Sequence, residues 1–218
     1  MARRNKSIPD PWPRFVKIRL EIFCRALDLL TITDEMKKNE DEITKALYPK
    51  LGKACFEHIA KPEIPAWDRK IGAISEGELG FESIGKRPDF TCGFIDPTAD
   101  AEEKHMVCLH IECKCIGFNR ETSPSWDLNN NYIKNGINRF DSLSHEYGRN
   151  AKDGIMIGYI ISSAKPDIQN IINDKLPEKI EKLNFVSRSK VEKVSTKIIR
   201  EVVKPVNFTI HHIWADYA

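Results

Sequence analysis

The 218-residue chain contains no run of the roughly 18 apolar residues that a membrane span requires, and its start, MARRNKSIPDPWPRF, lacks the apolar stretch of a signal peptide. A cytoplasmic protein without membrane contact is therefore expected. Cysteine is too scarce for a disulfide scaffold. Of six, Cys108, Cys113 and Cys115 fall in a single β-like run, and reduced thiols are the better reading. Internal repeats and low-complexity linkers are also missing, which excludes solenoids and tethered modules and leaves one domain over 1–218. A formal net charge of only +2 supplies no overall field to attract a polyanion.

What is present is an ordinary globular composition, 41% hydrophobic and 30% charged, with basic residues gathered at both ends. Residues 1–20 carry six Lys or Arg against Asp10 alone, and residues 175–204 carry nine against Glu178, Glu181, Glu192 and Glu201. Such segments either contact phosphates or form solvated charged faces.

Phe15, Ile18, Ile22, Phe23, Ala26, Leu27 and Leu30 recur at helical spacing and predict a first amphipathic helix. Thr33 and Asp34 can cap a second, with Ile43, Leu47, Leu51, Cys55 and Ile59 on its apolar stripe and Pro49 and Gly52 as interruptions. A turn at 62–65 ends the helical layer. Residues 71–83 suggest a strand or hairpin, 87–95 a clearer strand, and 106–116 another. In this last strand the odd positions Val107, Leu109, Ile111, Cys113 and Cys115 are apolar or small, whereas Cys108, His110, Glu112 and Lys114 share the other face. A helix with Ile133, Ile137, Phe140, Leu143 and Tyr147 on one stripe, closed by Gly148, precedes the apolar run 154–161, which suits a strand buried on both faces. Further on, 166–183 favours a helix, 190–203 is ambiguous, and 207–214 reads as a final strand. The expectation is α/β: a mixed central sheet with helices on its faces.

The chemistry concentrates in 87–117. Phosphodiester hydrolysis needs an activated water and neutralised charge at phosphorus, and hard divalent cations held by carboxylates can supply both. Asp89 and Glu112 lie on the polar faces of their strands and could hold such a cation, with the Cys113 backbone carbonyl as a third ligand. Lys114, two residues from Glu112, projects on the same side, where its ammonium could orient or deprotonate water or neutralise phosphate.

Pro88-Asp89 followed by Glu112-Cys113-Lys114, within an αβββαβ order, resembles the PD-(D/E)XK nuclease superfamily with its restriction-endonuclease-like fold. The resemblance covers about 40–162, leaving 1–39 as an N-terminal helical extension and 163–218 as a C-terminal one. It implies that Asp89 and Glu112 bind Mg²⁺, with Mn²⁺ able to substitute, and that Lys114 is catalytic. It also implies a further acid from the first core helix. Glu42 is the best match, with Glu57 and Glu78 behind it. Lys134 and Arg139 fall where the superfamily often places polar residues facing nucleic acid, while the glutamine and tyrosine pairing of RecB-like members is missing. The stretch from GINRF to GIMIGY is similar to bacterial phage-defence nucleases. The function implied is a DNA endonuclease of anti-phage defence or restriction, acting as a homodimer or with a regulatory protein partner. Two alternatives stand beside it: a catalytically inactive nucleic-acid-binding or assembly subunit of the same fold, and an interaction protein stabilised by zinc on His105, Cys108, His110, Cys113 and Cys115. Strand parity separates Cys108 and His110 from Cys113 and Cys115, against the zinc reading.

Overall fold

The computed structural model describes residues 10–67, 87–95, 106–118, 127–162, 164–186 and 189–218. Helix α1 (Trp12–Leu29) opens behind Pro11 and buries Trp12, Val16, Leu20, Phe23 and Leu27 along one stripe. Thr33 accepts a hydrogen bond from the Met36 N–H, but it caps only the 3₁₀ turn Met36–Lys38. Helix α2 (Glu40–Glu57) begins instead at Asn39, whose side chain accepts from the Asp41 N–H. Pro49 and Gly52 do not interrupt it. Pro49 is exposed, on the side where water can take the carbonyl that a proline cannot serve. Ile59, expected on the apolar stripe, lies beyond the helix end and is exposed.

The six strands are β1 (Ala66–Trp67), β2 (Phe90–Ile95), β3 (Met106–Ile116), β4 (Asp153–Ile160), β5 (Val191–Ile199) and β6 (Asn207–Asp216). They form one mixed sheet in the order β1-β2-β3-β4-β6-β5, in which β3, β4 and β6 are parallel and the outer pairings antiparallel. The suggested strand or hairpin at 71–83 lies outside the described residues. The ambiguous stretch after 190 is strand β5.

Each face carries its own apolar layer. Leu109, Ile111, Cys113 and Cys115 of β3 pack with Ile155, Ile157 and Tyr159 of β4 beneath α1 and α2. On the other face Met156, Ile160, Phe208, Ile210 and Trp214 meet Tyr132 and Ile133 of α3 (Leu128–Lys134), Ile168 and Ile172 of α4 (Lys165–Lys175), and Ile137 and Phe140 of a 3₁₀ segment, Ile137–Asp141. The helix expected through Tyr147 is thus broken after Lys134. Gly136 sits so close to β4 that a Cβ there would lie 2.4 Å from Met156 Cε, and Leu143 is left exposed. Likewise α4 stops at Lys175 rather than reaching 183, shortly before Pro177, which cannot donate a helical hydrogen bond.

Part of the basic C-terminal segment is tied into the fold, whereas Lys193, Lys197 and Lys204 are exposed. Lys175 pairs with Asp127, Lys179 with Asp141 and Glu201, and Lys190 donates to the carbonyls of Asp28 and Leu30. Among the described residues no helix is long and apolar enough to cross a membrane.

Candidate active site

The site arises where β2 and β3 part. Their pairing runs as far as Phe90 opposite Ile111, and β3 then continues to Ile116 with β4 on one side and, among the described residues, no strand on the other. Carboxylates take the peptide groups of that open edge. Asp89 Oδ2 accepts from the Cys113 N–H at 2.7 Å, and Glu40 Oε2 accepts from the Cys115 N–H at 2.7 Å. A strand residue points its N–H and C=O to the same side, so the Cys113 carbonyl also faces this edge. Lys114 Nζ donates to it at 2.7 Å.

Lys114 organises the rest. Its ammonium reaches Glu40 Oε1 at 2.9 Å and Glu112 Oε1 at 2.8 Å besides that carbonyl, so each of its three donors has an acceptor. Glu112 Oε1 is shared with Arg139 Nη1, while Glu112 Oε2 and Arg139 Nε are buried without a hydrogen-bond partner. The expected polar face of β3 is therefore present but not wet. Glu112 is 1% exposed and Lys114 6%, with Arg139 of the 3₁₀ segment on the first and Glu40 of α2 on the second.

Burial raises the Glu112 carboxyl to about 8, with Asp89 adding repulsion against the opposing pull of Lys114 and Arg139. Burial likewise raises Asp89 to about 6, against the stabilising Lys114 charge and Cys113 N–H. For Lys114 burial disfavours the ammonium, but Glu112, Glu40 and Asp89 outweigh it and push the group well above its usual range. Lys114 is thus a fixed positive charge in this arrangement, which favours neutralising or orienting roles over deprotonation of water.

Three carboxylates and a carbonyl are a hard oxygen donor set of the kind Mg²⁺ takes, and the orphaned Glu112 Oε2 is an acceptor lacking a cation. Among the described residues no group of three or more His, Cys, Asp or Glu side chains stands at metal-holding spacing. The lysine accounts for this at Glu40 and Glu112, since its ammonium lies between them.

Asp89, Glu112, Cys113 and Lys114 are brought together as the spacing implied. Glu42 is not with them: it is half exposed and pairs with Lys45 at 2.6 Å, while Glu40, at the start of α2, reaches Lys114 and the Cys115 N–H. Glu40 was missed because the helix start was placed at Thr33-Asp34. Reading Asn39 as the cap would have put Glu40 at the first helical position. Glu57 pairs with Arg25 and Lys53 at the other end of α2, and Glu78 lies outside the described residues. Lys134 is exposed at the end of α3. Arg139 is turned onto Glu112 and remains partly exposed.

Among the described residues the zinc set is not assembled. Cys113 and Cys115 belong to the layer under α1 and α2, and burial pushes the Cys113 thiol upward. His110, on the opposite face, accepts from the Gly148 N–H and is held neutral by burial, down to about 4. His105 lies outside the described residues. Comparison with protein-family models, curated proteins and solved structures found no match for this chain.

Proposed function

We propose that the chain is a divalent-metal-dependent nuclease with the restriction-endonuclease-like core of the PD-(D/E)XK superfamily, hydrolysing phosphodiester bonds of nucleic acid, in the first instance DNA. The observation that carries this reading is the open edge of β3, where Asp89 and Glu40 hold successive outward peptide N–H groups and Lys114 joins Glu40, Glu112 and the Cys113 carbonyl. The hydrogen bonds from Cys113 and Cys115 fix the two carboxylates before any substrate arrives, so little ordering remains at the moment of reaction. Asp89, Glu112, Glu40 and the Cys113 carbonyl would hold Mg²⁺ or Mn²⁺, which would supply a water of lowered pKa and charge neutralisation at the phosphate. Lys114 keeps a positive charge beside these oxygens and stabilises negative charge developing there.

A catalytically inactive subunit of the same fold is the second reading, favoured by one observation: Lys114 and Arg139 already occupy Glu112 Oε1. Incubating the purified protein with circular and linear DNA and with RNA, with Mg²⁺, Mn²⁺ or EDTA, separates the two. Metal-dependent cutting abolished by Asp89→Ala is the expected result, whereas intact substrates under every condition leave the inactive subunit. The resemblance to phage-defence nucleases extends the reading to anti-phage defence or restriction, with a second copy or a regulatory protein controlling the activity.

A further inference from the structure

We propose that Arg139 is an internal counter-ion which a divalent cation displaces from Glu112, and that the released guanidinium then engages the phosphate of the substrate. The inference rests on the nuclease reading above. Arg139 rides on the 3₁₀ segment Ile137–Asp141, whose backbone is pinned by the buried Ile137 and Phe140 and by Asp141, whose carboxylate accepts from the N–H groups of Glu201, Val202 and Val203. A change of partner is therefore a side-chain motion and not a movement of the segment.

The guanidinium is weakly held for an arginine in a folded core. Among the described residues its one side-chain partner is Glu112 Oε1, and its Nε is buried with no acceptor. Arg200 shows what a structural arginine looks like in the same protein: although its Nη2 is likewise buried without a partner, it donates to the carbonyls of Pro205, Phe140, Tyr147 and Gly148 and lies over the ring of Phe208. Arg139 also keeps 27% of its side chain exposed, whereas Glu112 beneath it keeps 1%. It thus spans the distance from the buried carboxylate to solvent.

Glu112 has a reason to exchange partners. Lys114 and Arg139 both crowd onto Oε1, and Oε2 has no partner, so a divalent cation offers the carboxylate more than the single-point contact it replaces. Once free, the planar fork of Arg139 matches two oxygens of a phosphate, which a lysine ammonium cannot do. Metal and substrate are then coupled: the cation vacates the arginine that the phosphate needs.

Calorimetric titration of the full chain with Mn²⁺ alone, without nucleic acid, tests the exchange independently of cutting. Arg139→Gln should bind Mn²⁺ about tenfold more tightly than wild type, because no internal cation has to leave, and Glu112→Gln should lose that binding. Binding of a short DNA duplex in Ca²⁺ should weaken severalfold in Arg139→Gln and also in Arg139→Lys, which keeps the charge and guards against a folding defect in the glutamine variant. If Arg139→Gln holds Mn²⁺ no better than wild type while Glu112→Gln still abolishes binding, the counter-ion role is wrong and the nuclease reading stands. Duplex binding left intact in Arg139→Lys likewise overturns the phosphate role. If wild type shows no Mn²⁺ binding that depends on Glu112, both fall together.

Discussion

Glu112 sets the pH behaviour of the site. Its folded carboxyl is raised to about 8 from an ordinary 4.5, so the folded state holds a proton that the unfolded chain releases earlier. The corresponding stability is complete below 4.5 and is lost as pH rises towards 8, with Asp89 adding a similar loss between 3.8 and about 6. Without divalent metal, denaturant melts of wild type should therefore show falling stability from pH 5 to 8, by a total on the order of a few kcal/mol, and Glu112→Gln should flatten the upper part of the curve. Metal runs the other way: because a cation at Glu112 would displace its proton as well as Arg139, the rise in melting temperature on adding Mn²⁺ should be larger at pH 8 than at pH 6. Lys114→Met removes the charge on which Glu40, Glu112 and the Cys113 carbonyl converge and should cost about 3–5 kcal/mol at pH 8, and less at pH 6, below the raised pKa of Glu112. Equal losses at both pH values would contradict the charge assignment.

At the level of elements, the site depends on where α2 starts and where β2 ends. Asn39 fixes the first by accepting from the Asp41 N–H, which places Glu40 on the open edge of β3. Asn39→Ala should cost about 1 kcal/mol in stability and reduce cutting, whereas Glu42→Ala, two residues on, should leave both near wild type. Parity made the alternating faces of β3 legible in the sequence, because a period of two needs only the local pattern. The open edge was not legible, since it depends on how far β2 accompanies β3, a long-range fact with no signature in either strand alone. Nor was the break after α3: Ile133, Ile137 and Phe140 fit a continuous helix, but the backbone leaves helical geometry at Gly136, with φ −122° and ψ −87°. Packing is tight at Gly154, where an added Cβ would lie 2.3 Å from Phe140 Cε1. Gly154→Ala should destabilise by about 1–3 kcal/mol, measured by denaturant unfolding, and shift the segment that carries Arg139.

Across the whole molecule, two apolar layers clamp one mixed sheet, and the acids of the site reach it from separate parts of the chain: Glu40 from α2, Asp89 from the approach to β2, Glu112 from β3. The mixed α/β architecture could be anticipated because periodicity separates helices from strands and the apolar run at 154–161 demanded cover on both faces. The fate of the basic C-terminal residues could not, because whether a lysine meets phosphate or a carboxylate of its own fold depends on contacts such as Lys179 with Asp141, 38 residues apart. On the proposed function, Glu40, Asp89, Glu112 and Lys114 act together on a phosphodiester bond with a divalent cation. Single-turnover cleavage of a labelled DNA duplex in Mn²⁺ by wild type, Glu40→Ala, Glu42→Ala and Lys114→Ala tests it most directly. Glu40→Ala and Lys114→Ala should each lose about 10²-fold or more in rate with Glu42→Ala unaffected, and a lysine variant that cuts as fast as wild type rules out a shared role for these residues.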